Sequence, residues 1–354
     1  MSSIASVRIH ASQFPENVRR DLLASLRTRR VNHKFHYDSV QQTQKWLALH
    51  QAYSPTRNDA ACRAAYEQGY QAAAARVKSP RVHVIGLGCG GGQKDTRLLK
   101  LLKTRGREVD YTPCDVSLAM VLVARRAALA VVSEKNCFPF VCDLATADDL
   151  PAVLDSRPAP PATQLITFFG MIPNFEPRDI LPKLASLVRP GDFLLFSANL
   201  APGKNYGAGV KAVLPQYDNP LTRDWLMTFL LDLGIGRNDG KLRFKVEACW
   251  SRGNEALTAR SVSAKGKPRL LTSSPTMETV ELKRIAANFH FRRRCRIEVE
   301  DAAFDFRAGE ALRLFFSYRY TPERVCAALG RYGLKVLDQW IARSGEEGIF
   351  LCWK

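Results

Sequence analysis

A run of five glycines within seven residues, Gly86 to Gly92, constrains the fold of this chain more than any other segment. The run follows a short apolar stretch, Val82–Ile85, and precedes a helical pattern from about Gln93 to Thr104. Glycine lets the backbone turn tightly and approach a ligand closely, because it has no Cβ atom to clash. The segment therefore predicts a strand, a tight turn and a helix, with a ligand bound at the turn.

The chain beyond the turn repeats this strand and helix pattern. Further strands are predicted at residues 109–114, 138–141, 165–169 and 193–197, with helical segments between them. Such β-α units give a parallel sheet with helices on both faces and right-handed crossovers. We therefore expect an α/β, Rossmann-like sheet whose ligand binds at the carboxyl ends of the strands.

The regular alternation stops after residue 199, and the pattern becomes α+β. A loop is predicted at residues 201–209, helices near 222–234 and 277–290, and a strand at 242–246. We interpret residues 200–315 as an inserted α+β domain that binds the substrate.

The remaining segments are assigned around this insertion. Residues 1–60 are expected to contribute helices to the substrate domain, and residues 61–199 and 316–354 to form the main α/β domain. Within the latter, residues 334–341 and 349–353 are predicted to close the sheet as an antiparallel pair.

Composition and charge narrow the classes of function. The chain of 354 residues has a formal net charge of +18, which suggests either a nucleic-acid or acidic-ligand surface or simply solvated basic faces. The basic clusters are scattered and not interleaved with aromatic residues, which favours solvated faces.

The nine cysteines form no C-x-x-C pair, so we expect reduced thiols in a cytoplasmic protein, without a metal site. We expect no membrane association, and a monomer or weak dimer.

The polar residues at the predicted strand ends indicate which ligand binds. Gly86, Asp115, Asp143 and Asn174 all fall at or just beyond such ends. A carboxylate at Asp115 can accept hydrogen bonds from both hydroxyls of a ribose, and Asp143 lies where an adenine amino group could donate. The turn reads G-x-G-x-G rather than the G-x-G-x-x-G of dinucleotide-binding proteins. The pattern therefore favours S-adenosylmethionine over a nicotinamide dinucleotide, although each aspartate alone is equally typical of a helix or turn cap.

The motifs resemble one family specifically, the histidine N-alpha-methyltransferases of ergothioneine biosynthesis, which include relatives acting on prenylated tryptophan. Two N-terminal segments, Lys34–Asp38 and Tyr53–Arg57, are similar to its K-x-F-Y-D and Y-x-P-T-R motifs. The other similar segments follow in the same order along the chain: Gln93–Leu99, Asp115–Ser117, Gly170–Phe175, Arg189–Asp192, Gln216–Asp218 and Phe304–Glu310.

The resemblance implies a role for each matching residue. The cofactor S-adenosylmethionine would be held by Gly86, Gly88, Gly90, Lys94, Asp115, Asp143 and Leu144. Asn174 and Tyr217 would position the α-amino and carboxylate groups of a small amino-acid substrate. Tyr37 and Tyr53 would line its amino and side-chain ends, and Ser317 would contact an imidazole. No residue is assigned an acid–base role, because methyl transfer from a sulfonium depends mainly on positioning.

One departure from the family pattern concerns the substrate. Phe315 stands where the histidine enzymes have a glutamate that accepts a hydrogen bond from the imidazole. We therefore expect N-methylation of the α-amino group of an amino acid or analogue whose side chain is aromatic or apolar, rather than of histidine.

Two alternative functions stay open. One is an RNA methyltransferase, suggested by the charge and by Ile172–Phe175, whose residue order does not fit that class. The other is a non-catalytic relative that binds a ligand.

Overall fold

The computed structural model describes residues 4–155, 162–250 and 281–354. The strands are β1 Arg8–Ile9, β2 Arg81–Leu87, β3 Glu108–Asp115, β4 Phe140–Val141, β5 Thr163–Phe169, β6 Phe193–Asn199, β7 Gly240–Trp250, β8 Glu281–Phe291, β9 Cys295–Val299, β10 Ala302–Phe306, β11 Ala311–Arg319, β12 Lys335–Ile341 and β13 Glu347–Trp353. The α-helices are α1 Pro15–Thr28, α2 Val40–Tyr53, α3 Pro55–Asn58, α4 Ala60–Arg76, α5 Gln93–Thr104, α6 Leu118–Ala128, α7 Leu150–Asp155, α8 Pro177–Leu187, α9 Tyr206–Ala212, α10 Pro220–Asp232 and α11 Pro322–Gly330. Short 3-10 turns include His33–His36 and Ile172–Asn174.

The main sheet has eight strands in the order β1-β4-β3-β2-β5-β6-β13-β12. The strands from β1 to β6 pair in parallel, and β13 and β12 then add antiparallel pairs. The predicted parallel sheet and its closing antiparallel pair are therefore confirmed. The strand order reverses at β2, since β3 lies on one side of it and β5 on the other. That position is where open α/β sheets bind their ligands.

The helices cover both faces of this sheet because its inner strands are apolar on both sides. Along β6, Leu194 and Phe196 belong to the core that contains residues of α8, whereas Leu195 belongs to the opposite core with residues of α4 and α5. Side chains alternate between the two faces of a strand, so neighbouring residues enter different cores. Because both faces of these strands are buried, the register between neighbouring strands is fixed, and so is the position of each strand end.

A second, antiparallel sheet has the order β11-β8-β7, and β9 and β10 form a separate hairpin. The helix predicted near residues 277–290 is wrong, because Glu281–Phe291 is the central strand of this sheet. Residues 277–280 lie outside the described residues. The segment contains helix-favouring Lys, Arg and Ala residues, but pairing on both sides overrides that local preference. The loop predicted at residues 201–209 likewise gives way to helix α9 from Tyr206.

The two sheets meet where β11 ends. Strand β11 continues to Arg319, four residues past the boundary expected at residue 315. Tyr320 pairs with Leu200, which follows β6 of the main sheet. The N-terminal segment joins the second sheet, because the Val31 N–H donates to the Arg313 carbonyl oxygen at 2.9 Å. The exact domain limits stay a prediction. In the three described ranges, no helix has the length and apolar character needed to cross a membrane.

Candidate functional site

A cavity of about 860 Å³ opens at the carboxyl ends of strands β2, β3, β4 and β5. The second sheet and the segment from residue 31 to 37 close it from the other side. Its wall contains most of the residues that the sequence predicted for the site, namely Gly88, Gly90, Lys94, Asp115, Asp143, Leu144, Tyr37 and Asn174. The structure therefore brings together residues that are up to about 140 positions apart in the chain, at the expected edge of the sheet.

The glycine turn forms one wall of the cavity and needs its glycines. Gly88 and Gly90 have φ angles of +61° and +52°, a region that residues with a Cβ atom rarely adopt. A Cβ atom at Gly88 would lie 2.6 Å from Cγ of Met171. Gly86 lies behind the turn and does not line the cavity; a Cβ atom there would overlap the Asp95 carboxylate. The turn thus presents bare backbone to the space in front of it.

Asp115 ends β3 and connects the turn to the next helix. Its Oδ2 accepts the Gly90 N–H at 3.0 Å, and its Oδ1 accepts the Ser117 N–H at 3.1 Å. Burial raises the pKa of the Asp115 carboxyl, although hydrogen bonds from Ser117, Gly90 and Val116 counteract the shift. Each carboxylate oxygen can accept more than one hydrogen bond. The residue lines the cavity and fits a ligand with two neighbouring hydroxyls.

Asp143 follows β4 and links the cavity to the N-terminal segment. Its Oδ1 accepts the Ala145 N–H at 2.9 Å, so the residue also caps a turn, as one reading of the sequence suggested. The ammonium of Lys34 lies 3.4 Å from Asp143 and 2.6 Å from the buried Asp21. Sequence reasoning did not foresee this buried ion-pair chain, because Asp143 lies more than 100 positions from Asp21 and Lys34 in the sequence. It fixes the segment that carries Tyr37.

The residues predicted to bind substrate fall into three groups. Tyr37 and Asn174 line the cavity. Tyr217, Phe315 and Ser317 lie together but outside the cavity wall, with 2.9 Å between the Tyr217 and Ser317 hydroxyl oxygens.

An indole ring connects the first two groups. The ring centroid of Trp225 lies 5.5 Å from that of Tyr37 and 5.8 Å from that of Phe315. The third group is Tyr53, which is 49% exposed at the end of α2 and is not brought to the cavity. The predicted roles of these residues stay predictions.

Two aromatic residues that the sequence analysis did not single out form part of the site. Phe316 lines the cavity in place of its neighbour Phe315, because the strand register shifts between Arg313 and Phe315. His33 also lines the cavity and stacks on Phe315 with 5.0 Å between ring centroids. No local sequence signal marks such a bulge.

The charge state of His33 follows from its surroundings. Burial lowers the pKa of His33 well below its usual value, and His36, Arg313 and Arg284 lower it further. Its Nε2 accepts the Phe316 N–H at 3.3 Å, so the ring is neutral and its Nε2 is already engaged. His33 therefore contributes an uncharged aromatic surface to the cavity.

The sheet, the glycine turn and the two aspartates define the class of the protein as the S-adenosylmethionine-dependent methyltransferases. A family model described as "Histidine-specific methyltransferase, SAM-dependent" matches residues 18–206 and 278–354. The chain therefore belongs to this family. It is an S-adenosylmethionine-dependent methyltransferase, as the sequence predicted.

The chain is also similar to individual proteins. Histidine N-alpha-methyltransferase from Mycobacterium tuberculosis is 28% identical over 277 residues, which cover 77% of this chain and 75% of that protein. The N-methyltransferase imqF from Aspergillus flavus is 22% identical over 265 residues, which cover 75% of this chain and 66% of that protein. The CcbJ methyltransferase from Streptomyces caelestis is similar in structure at 12% identity and a TM-score of 0.39, covering 81% of this chain and 94% of that one.

Proposed function

We propose that this methyltransferase methylates the α-amino group of an amino acid, or of a close analogue, whose side chain is aromatic or apolar. The observation that carries the proposal is Phe315, which stands where the family resemblance expects an imidazole-binding glutamate. The Phe315 side chain is only 7% exposed and lies in an aromatic cluster. Histidine is then not the preferred substrate.

Phe315 lies just behind the cavity wall, and the rings next to it support this choice, because His33, which stacks on Phe315, and Phe316 both line the cavity. The Phe315 ring packs against the rings of His33, Trp225 and Tyr217, with centroid distances of 5.0, 5.8 and 6.3 Å. The His33 Nε2 is engaged by the Phe316 N–H, and the Trp225 Nε1–H donates to a backbone carbonyl. An imidazole N–H buried here without an acceptor would cost about 1–3 kcal/mol, or roughly five- to 150-fold in binding. An apolar or aromatic side chain has no such cost and gains ring contacts.

Methyl transfer depends mainly on how the substrate amine is positioned. The sulfonium of bound S-adenosylmethionine supplies an already activated methyl group, so the amine needs to be held in line with it and water kept away. Tyr37 and Asn174, on the cavity wall, are proposed to hold the amine, and Tyr217 the carboxylate. Burial and the nearby Asp115 raise the pKa of Tyr37, so its hydroxyl stays protonated and uncharged. It can thus orient an uncharged amine by accepting or donating a hydrogen bond.

The cellular setting belongs to the same proposal. All nine cysteines are free thiols, which suits a reducing compartment such as the cytoplasm. We propose a monomer or weak dimer that acts on a small molecule.

A binding screen tests the substrate class. The intact protein would be mixed with S-adenosylhomocysteine, and its thermal unfolding followed with each of a panel of amino acids. We expect stabilisation by S-adenosylhomocysteine itself and a further increase with aromatic or apolar amino acids, because a ligand that binds the native state stabilises it. Further stabilisation by histidine alone would contradict the proposal. No response to any amino acid, with intact S-adenosylhomocysteine binding, would reject the amino-acid class while leaving the cofactor site in place.

A further inference from the structure

A buried polar cluster lies behind Lys94 on the cavity wall. The Lys94 ammonium donates to the Tyr66 hydroxyl oxygen at 2.7 Å. The Tyr66 hydroxyl in turn contacts the carboxylate of Glu347, the first residue of β13. A second buried group, the Cys62 thiol, donates to the other oxygen of Glu347 at 3.4 Å. Helix α4, helix α5 and the last strand of the chain therefore meet at one phenol group.

The protons of this cluster can be assigned from its geometry. A phenol has one proton, and a carboxylate is a stronger acceptor than a neutral oxygen, so Tyr66 donates to Glu347. The Tyr66 oxygen is then free to accept from Lys94, which can only donate. The Ser197 hydroxyl also contacts Tyr66 at 2.7 Å, and it accepts the Gly170 N–H at 2.8 Å. The direction of these hydrogen bonds is thus fixed: Lys94 donates to Tyr66, and Tyr66 donates to Glu347.

Lys94 retains unused donor capacity toward the cavity. Among the described residues its ammonium makes one hydrogen bond, to Tyr66, and its distance to Glu347 is 4.0 Å. Its nitrogen lies 4.3 Å from the Tyr66 ring centroid and 5.8 Å from that of Phe169. The aromatic rings and the Tyr66 hydroxyl therefore hold the charge in one place, while two of its N–H groups remain available to a ligand.

We propose that Tyr66 and Glu347 are positioning residues that hold the Lys94 ammonium ready for the carboxylate of the cofactor's amino-acid part. A lysine side chain loses much rotational freedom when it is fixed. The cluster fixes it before the ligand arrives, and such preorganisation increases affinity. Because Tyr66 and Cys62 both donate to Glu347, its negative charge is partly satisfied within the cluster and competes less for Lys94. The proposal does not depend on which amino acid is methylated.

Two ligands separate this role from a general effect on the site. S-adenosylhomocysteine has the nucleoside, the sulfur and the amino-acid part, whereas 5′-methylthioadenosine lacks the amino-acid part. Isothermal titration would measure both with the wild type and with Tyr66→Phe. We expect Tyr66→Phe to weaken S-adenosylhomocysteine binding about three- to tenfold, the range of one hydrogen bond, and to leave 5′-methylthioadenosine binding unchanged. An equal loss for both ligands, or no loss, would overturn the proposal.

A double-mutant cycle tests whether Tyr66 acts through Lys94. If it does, Tyr66→Phe combined with Lys94→Met binds S-adenosylhomocysteine no more weakly than Lys94→Met alone, because the coupled partner is already gone. Additive losses would overturn the proposal. Glu347→Met, which removes the acceptor of the Tyr66 proton, serves as the second variant if Tyr66→Phe fails to fold, with the same expected difference between the ligands. Tyr70→Phe is the control for loss of a neighbouring phenol hydroxyl. Tyr70 also lines the cavity and its ring packs against Tyr66 at 6.0 Å, but its hydroxyl makes no hydrogen bond to Lys94 or Glu347 in the described part of the chain.

Discussion

Phe315 and Phe316 are neighbours on β11, yet they have different surroundings. Phe316 lines the cavity, whereas Phe315 belongs to an aromatic cluster next to it. The sequence alone pointed to Phe315 by comparison with a family motif. It could not reveal Phe316, because the register shift after Arg313 depends on pairing with β8. At the scale of single residues, the sequence could therefore show that Phe315 replaces the glutamate of the family motif, but it could not show that Phe316 lines the cavity.

The two proposed substrate contacts should affect one ligand and not the other. We predict that Asn174→Ala and Tyr217→Phe each weaken binding of the amino-acid substrate about three- to tenfold, the range expected for one lost hydrogen bond. S-adenosylhomocysteine affinity, measured by isothermal titration, should stay within about twofold. Equal loss of both ligands would show that these residues support the whole cavity rather than the substrate.

At the scale of elements, the sequence predicted the unit of β2, the glycine turn and α5 almost residue by residue. Helix α5 was expected near Gln93 to Thr104 and has those limits. This success has a local cause, because the apolar strand, the glycines and the helix pattern lie next to one another. The prediction of a helix in place of strand β8 was wrong for the opposite reason. The residues of β8 pair with positions on β7 and β11 that lie between 21 and 51 residues away in the sequence. Only the assembled sheet therefore decides its conformation, against the preference of its local composition.

The glycine turn gives a sharp prediction for an element. Gly88→Ala should reduce S-adenosylhomocysteine affinity at least about tenfold, because the new methyl group meets Met171 and the φ angle of +61° is strained. Gly106→Ala is the matched control. Gly106 has a similar φ of +76°, but a Cβ atom there meets nothing within 4 Å. Isothermal titration should give wild-type affinity for this control; equal losses in both variants would contradict a specific role of the turn.

At the scale of the whole molecule, Arg319 ties the two sheets together. It is 4% exposed, and it donates to the Leu200 carbonyl at 3.0 Å and to the Tyr217 hydroxyl at 2.8 Å. We predict that Arg319→Met lowers the free energy of unfolding by about 1–3 kcal/mol, because it leaves buried acceptors without their donor. Urea denaturation would measure this change. The exposed Arg307→Met should change stability by less than about 0.5 kcal/mol; equal effects would contradict the structural role of Arg319.

The high net charge is also best considered for the whole molecule. The sequence left a nucleic-acid surface open because of the net charge of +18, to which the basic stretch from Arg292 to Arg296 contributes. Three of its arginines pair with carboxylates in the described structure, namely Arg293 with Asp239, Arg294 with Asp305 and Arg296 with Glu298. Paired and solvated side chains of this kind suit the interpretation as basic faces in water. The sequence could not show these pairs, since most of the partners come from other strands and turns.

A competition assay tests the central claim most directly. The wild-type enzyme would receive S-adenosylmethionine with equal concentrations of histidine and of aromatic and apolar amino acids, and mass spectrometry would identify the N-methylated products. We predict that products come mainly from an aromatic or apolar amino acid, because the site next to Phe315 offers rings where an imidazole needs an acceptor. Methylation of histidine in preference to all of these amino acids would contradict it.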